Sequence, residues 1–174
     1  MAGTLSVQKI QGLATSATRT TVEIASGHVL NAPGHVIQTV YDSIISAENT
    51  TSTSFVNTSL TATITPTSSS SKILVIVNAA MYANGVGTHA IAGVFRGDVS
   101  GTDLGNGLYG IGSAYTGSGG AAIKAYVCCS ILDSPNTTSA TTYTVAIKKS
   151  GGSYASNISV NSERSTIVLQ EIAQ

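Results

Sequence analysis

The sequence has few charged residues. Only 9% of its 174 residues are charged, and the formal net charge is zero. Recognition of nucleic acid or of an anionic membrane relies on clustered positive charge, and the only adjacent basic residues are Lys148 and Lys149. We therefore expect neither a nucleic-acid partner nor a membrane partner.

Long apolar runs are also missing. Apolar residues make up 42% of the chain, but no window approaches the roughly 18 unbroken apolar positions of a membrane-spanning helix. The first residues lack the basic region and the apolar core of a signal peptide. We expect a soluble protein made in a cytoplasm. Its many Ser and Thr residues hydrate a surface without charge repulsion, which suits packing against copies of itself.

Cysteine and large aromatic residues are scarce. The two cysteines, Cys128 and Cys129, are neighbours, and adjacent side chains on a strand point to opposite faces, so they cannot form a relaxed disulfide with each other. We expect free, buried structural thiols in a reducing compartment.

Tryptophan is absent and aromatics are 5%, which disfavours a glycan hydrolase because sugar sites usually use large rings.

The longest β-branched and apolar run is residues 72–83, read KILVIVNAAMYA. A Ser/Thr tract precedes this run and Asn84-Gly85 follows it, which favours a strand over a helix. We predict a core strand that is buried on both faces.

Further strand patterns recur about every ten residues, as is typical of a sandwich or jelly roll. The predicted strands cover residues 36–44, 56–64, 89–96, 108–111, 121–133, 143–147, 154–160 and 166–172. A short helix over residues 41–49 is the one rival, and Ser43 and Ser46 disfavour it. We predict an all-β, antiparallel, jelly-roll-like β-sandwich over residues 35–174.

Residues 1–34 have a different pattern. Two short alternating segments carry too few apolar groups to bury a core of their own, so this arm must pack on another chain or remain mobile. A break at Pro33-Gly34 follows. The predicted attachment residues of the arm are Leu5, Val7, Ile10, Val22 and Ile24.

The sequence offers little chemistry. None of the histidines His28, His35 and His89 has a second ligand at metal-site spacing, and the carboxylates are spread one per segment, so we predict no catalytic, metal or cofactor site. The run GNGLYG at residues 105–110 matches a dinucleotide fingerprint, but no βαβ unit surrounds it. A flexible loop is the preferred interpretation.

Residues 97–120 form the longest irregular stretch, and loops of this length are usually functional or mobile. We predict an exposed contact loop here, with candidate residues Asp98, Asp103, Asn106, Tyr109 and Tyr115. Two less favoured alternatives use the same loop. Asp98 and Asp103 could hold a structural cation, although their spacing is not that of a calcium loop, or they could form the acid pair of a hydrolase.

Several phrases resemble small virion proteins of tailed bacteriophages, often those of aquatic or cyanobacterial hosts. They are MAGTLSVQKIQG at residues 1–12, IASGHVL at 24–30, GHVIQ at 34–38, TSTSFVNTSLTATITP at 51–66, SSKILV at 70–75 and LDSP at 132–135. Such proteins are usually described as tail-fibre-like or virion structural proteins. The resemblance spans nearly the whole chain, and its motifs are compositional.

The resemblance implies a homotrimeric β-sandwich on the outside of a virion, held there by the N-terminal arm. A fibre normally has a shaft of repeats, and about 34 residues leave little room for one. We therefore expect a capsid decoration or cement protein, not an enzyme, whose partners are its own copies and the major capsid protein or another virion protein. The alternative is the tip or adaptor of a tail fibre that binds a host surface receptor.

Overall fold

The computed structural model describes residues 32–174. The predicted arm residues, from Leu5 to Ile24, lie outside the described residues. The strands are β1 (Val36–Ile44), β2 (Glu48–Thr50), β3 (Val56–Ile64), β4 (Lys72–Ala83), β5 (His89–Arg96), β6 (Thr102–Asp103), β7 (Gly112–Tyr115), β8 (Ile123–Asp133), β9 (Thr141–Ser150), β10 (Ser156–Ile158) and β11 (Ser165–Ile172). A single 3-10 turn, Val160–Ser162, is the helical content of this part of the chain.

The strands form two antiparallel sheets that pack face to face. In sheet A the long strands have the order β1-β11-β4-β8. The short strand β10 pairs with residues 81–83 at the end of β4, and β2 pairs with β10. Sheet B has the order β3-β9-β5, and both β6 and β7 pair with the far side of β5. The first strand lies beside the last, and the chain passes repeatedly between the sheets, which is the arrangement of a jelly roll. The predicted all-β antiparallel sandwich is confirmed.

The central strand β4 has the predicted bounds, but the prediction that both of its faces are buried is wrong. The odd-numbered residues from Ile73 to Ala83 are buried in the core, whereas four of the five even-numbered residues from Leu74 to Tyr82 are half-buried. The physical reason is the two-layer architecture. Sheet B covers one face of β4, and no described element covers the other.

The core lies between the sheets and is aliphatic. Alternate residues on the facing strands interdigitate, which is the packing expected of a β-sandwich. The largest members, each at most 2% exposed, are Leu60, Ile64, Ile73, Val75, Met81, Tyr143, Val145, Ile147, Ile158, Ile167 and Leu169.

The weaker strand patterns required correction. Residues 108–111 form a turn, because Asn106 Oδ1 accepts hydrogen bonds from the amides of Leu108 and Tyr109, and the strand comes after it, at Gly112–Tyr115. The predicted strand 154–160 contains only Ser156–Ile158, followed by the 3-10 turn. The short strands β2 and β6 lie in polar, hydroxyl-rich segments that carry no apolar alternation.

A polar cluster joins the two sheets at one end. Asp133 in sheet A accepts a hydrogen bond from the Tyr143 hydroxyl at 2.8 Å and forms an ion pair with Arg96 at 3.1 Å, and both of these partners belong to sheet B. Burial and the hydrogen bond to this carboxylate raise the pKa of Tyr143. The phenol therefore remains a proton donor.

We predict that Asp133→Ala lowers the free energy of unfolding by about 1–3 kcal/mol, because it leaves the hydroxyl of Tyr143 and the guanidinium of Arg96 without their partner. Asp98→Ala is the matched control, since the partners of Asp98 lie within its own turn. Chemical denaturation of the two variants measures the difference. Equal losses would contradict the role of Asp133 as a link between the sheets.

A second polar cluster fixes the start of β1. The side chain of Glu171 is fully buried, and it accepts hydrogen bonds from Gln38 Nε2 at 2.6 Å, from the Thr67 amide at 2.7 Å and from the Thr67 hydroxyl at 2.8 Å. Burial alone would raise the pKa of Glu171, but these donors lower it below its ordinary value. The carboxylate is therefore ionised in the fold.

We predict that Glu171→Gln destabilises the fold by about 1–3 kcal/mol near neutral pH, because an amide cannot accept all three hydrogen bonds. An exposed glutamate titrates at about pH 4.3. The stabilisation from ionised Glu171 is present above that pH and is lost as pH falls through the lower pKa of the folded state.

Unfolding experiments over a pH series check this prediction. The difference in stability between the native chain and Glu171→Gln should shrink in acid, and a difference that is independent of pH would contradict it.

Candidate functional site

The predicted contact loop forms an ordered cover on the outer face of sheet B. Its backbone is bonded to β5 at two points, where Leu104 N donates to Val94 O at 3.0 Å and Ile111 N donates to Ala92 O at 2.8 Å. The leucine and isoleucine side chains pack against the core. Residues 97–120 were expected to be irregular apart from a strand at 108–111, whereas the strands within them are β6 and β7.

Phe55 and Lys148 complete this cover. The Phe55 ring lies over Gly93, where a Cβ atom would be 2.7 Å from the ring, and it packs edge-on against Phe95 with centroids 5.2 Å apart. Lys148 Nζ lies 4.5 Å from the centre of the Phe55 ring and donates to Gly107 O at 2.6 Å. A cation and a ring therefore hold the loop on the sheet.

Three of the five candidate residues form hydrogen bonds within the local turns to which they belong. Asp98 accepts hydrogen bonds from the hydroxyl and amide of Ser100, and these lower the pKa of Asp98. Asp103 accepts a hydrogen bond from the Gly105 amide at 2.8 Å, and Asn106 caps the following turn. Such side-chain turns are common in loops. In each aspartate the Oδ1 atom accepts these hydrogen bonds, so each carboxylate has a role within its own turn. This role accounts for Asp98 and Asp103 more simply than the acid-pair or the cation interpretation.

The other two candidates, Tyr109 and Tyr115, flank His89. The Tyr115 ring stacks on the imidazole with centroids 4.0 Å apart, and the centroid of Tyr109 lies 5.9 Å from that of the imidazole. Tyr109 is 50% exposed and Tyr115 is 48% exposed. The structure thus brings these two tyrosines together at one surface. Exposed rings with polar tips are suited to contacts with proteins or sugars.

The glycine-rich run at residues 105–110 is a packing feature. A Cβ atom at Gly110 would lie 1.9 Å from the carbonyl oxygen of Ala92, and Gly110 has a φ of +57°. The run connects β6 to β7, and no helix follows it. The flexible-loop interpretation is therefore replaced by a closely packed turn, and the run lacks the strand-turn-helix context of a dinucleotide site.

Phe55, His89 and Lys148 were missed as contributors to this surface. They lie on three segments that are far apart in the sequence, and each has an ordinary pattern within its own segment. The pairing of β5 with β7 and β9 places His89 and Lys148 beside the loop, and Phe55 reaches it by packing over Gly93 of β5. The alternation of β9, which puts Lys148 on the outer face, was the one available signal.

The two cysteines differ in their surroundings. Cys128 is exposed and Cys129 is half-buried, and both are free thiols. Together with Ile76, Asn78 and Ser130 they line a shallow depression on sheet A. The expectation that both thiols are buried is wrong for Cys128, because its side chain points to the uncovered face of the sheet. Burial raises the pKa of Cys129.

We predict that the two thiols react at different rates. The thiolate is the reactive form, so burial and a raised pKa should slow alkylation of Cys129 relative to Cys128. Mass spectrometry after a short maleimide treatment of the folded chain in monomeric form checks this prediction. Equal labelling of both positions would contradict the packing of β8.

No protein-family model matches the chain, and no curated protein matches it. Within residues 32–174, no group of three metal-ligating His, Cys, Asp or Glu side chains occurs. The same part of the chain has no helix of the length and apolarity needed to cross a membrane.

Proposed function

We propose that this chain is a structural protein on the exterior of a tailed-phage virion, and that it acts as a homotrimeric capsid decoration or cement protein. The observation that carries the proposal is the two-sheet body with a continuous core. Among the described residues, the core cluster runs from Leu60 to Leu169 and fills the space between the two sheets. In this proposal, residues 1–34 attach that body to another virion protein.

The chemistry of the surface supports a structural role. Strands such as β3 present hydroxyl side chains to solvent, and they hydrate the body without strong charge. The carboxylates of the contact loop are used to hold their own turns. The resemblance to small virion proteins supports the class of virion structural protein.

We predict that the purified full-length chain binds to phage heads that lack it and protects emptied heads against heat. A variant without residues 1–34 should fold but should not bind, because the arm supplies the attachment. Co-sedimentation with heads measures binding, and light scattering during heating measures protection.

The double variant Leu5→Ser/Val7→Ser is a gentler test that keeps the chain length. Binding that survives both changes would contradict attachment through the arm.

The alternative is the tip of a tail fibre, and the exposed tyrosines beside His89 favour it. Tyr109→Ser and Tyr115→Ser should then abolish binding to host cells, and the native protein should block phage adsorption. A decoration protein should keep its binding to heads after both substitutions. Adsorption and head-binding assays on the same variants therefore separate the two functions.

A further inference from the structure

Within residues 32–174 nothing covers the outer face of sheet A, and the middle of this face carries aliphatic, aromatic and uncharged polar side chains. Across the sheet, one row is formed by Tyr41, Val168, Ile76 and Ser130, and the adjacent row is formed by Thr39, Gln170, Leu74 and Leu132. Tyr41 is 56% exposed, Leu132 is 53% exposed and the nearby Tyr126 is 57% exposed. The outer face of sheet B, by contrast, is covered by Phe55 and the contact loop.

Charge is absent from the middle of this face. Its charged side chains lie at the ends of the strands, with Lys72 at one end and Lys124, Glu163 and Arg164 at the other. Lys124 is paired with Glu163 at 2.8 Å. A face without charge can meet a copy of itself without like-charge repulsion.

Among the described strands, β8 is an edge of sheet A, because only β4 pairs with it. Ala80 N donates to Ser165 Oγ and Ala80 O accepts from Ser159 N, so the backbone groups of Ala80 point away from β8. The backbone N–H and C=O groups of successive residues point to opposite sides of a strand. The odd-numbered residues of β4 therefore form the hydrogen bonds to β8. It follows from the register that the amides of Tyr126, Cys128 and Ser130 point to the open side.

Natural edge strands are usually protected by proline, a bulge, charge or a covering loop. The eleven residues of β8 pair with β4 in an unbroken register and contain no proline. In sheet B, the outward amides of Ser59 and Thr61 on the edge strand β3 are capped by Glu48 and Asp42. The described part of the chain supplies no such caps for β8.

Strand β1 is the opposite edge of sheet A, and its direction allows it to pair antiparallel with β8 of another copy. Three antiparallel pairings separate β1 from β8, so the two edge strands run in opposite directions. A rotation axis parallel to the strands keeps these directions. It would place β8 of one copy antiparallel to β1 of the next, and such a head-to-tail contact closes into a ring.

We propose that the outer face of sheet A, with its β1 and β8 edges, is the interface between copies of this chain. The number of copies, three, rests on the proposed function. Three sheets would enclose the axis, with Ile76, Val168 and Leu132 directed towards it and the contact loops on the outside.

The available area is sufficient. Twelve residues of β4 span about 40 Å and four strands span about 19 Å, which gives about 750 Å² per copy. A standard protein interface takes about 800 Å² from each partner.

A charge placed on this face tests the proposal. Leu132→Glu should convert the native trimer to monomers, because three carboxylates would have to be buried near one another. Leu108→Glu is the control, since Leu108 on the contact loop is also an exposed leucine, at 62% against 53% for Leu132. Light scattering of the full-length variants gives the mass, and circular dichroism checks the fold. A trimeric Leu132→Glu protein would overturn the interface.

A disulfide experiment tests the geometry and uses the native Cys128. On β1 the amides of Thr39, Tyr41 and Ser43 face the open side, and hydrogen-bonded antiparallel pairs have Cα atoms about 5.5 Å apart, which suits a disulfide. One of Thr39→Cys, Tyr41→Cys and Ser43→Cys should form a covalently closed trimer on oxidation.

The control substitution Val40→Cys should not cross-link, because that side chain packs against the core. Cross-linked dimers of the native chain through Cys128 would instead show β8 paired with β8, and would overturn the proposal. A monomeric native chain would overturn it as well. Trimers that pass these tests but do not bind phage heads would overturn only the virion role.

Discussion

The structure depends on one constraint, which is that each sheet has two faces and the sandwich buries only one of them. The inner faces meet in the aliphatic core. Sheet B covers its outer face with its own chain, through Phe55, Lys148 and the contact loop. The outer face of sheet A receives no cover from residues 32–174. This difference between the sheets is the basis of the proposed assembly through sheet A.

The same difference explains where the polar chemistry lies. The half-buried carboxylate of Asp133 and the buried carboxylate of Glu171 join strands to neighbouring elements, and each accepts hydrogen bonds from donors in those elements. The carboxylates of the contact loop close turns. Buried charge is tolerated only with such partners. These four acidic groups therefore stabilise the fold, and the two proposed contact surfaces consist mainly of rings, hydroxyls and aliphatic groups.

Much of the fold could be predicted from the sequence, because regular apolar alternation is recognisable as a strand pattern. The bounds of β4 and β5 were predicted to the residue, and β1, β3 and β11 to within one residue. The errors lie where local turn chemistry decides. The side chain of Asn106 turns the chain at residues 108–111, and the β-branched residues of β4 could not reveal that only one of their faces would be covered.

The candidate surface was predictable only in part. Tyr109 and Tyr115 were placed correctly in an exposed segment, but the sequence could not show that His89 lies between them, because that contact needs the pairing of β5 with β7. The opposite face of the molecule was missed for a similar reason. Its rows run across four strands, and neighbours within a row are distant in the sequence.

Residue-resolved hydrogen exchange on the full-length protein tests the central claim, assembly through sheet A, most directly. If copies join through the edge of β8, the outward amides of Tyr126, Cys128 and Ser130 should exchange as slowly as the inward amides of Val127 and Cys129. If these three amides exchange at the rate of unprotected amides while their neighbours stay protected, the edge of β8 is free in solution and assembly through sheet A is contradicted.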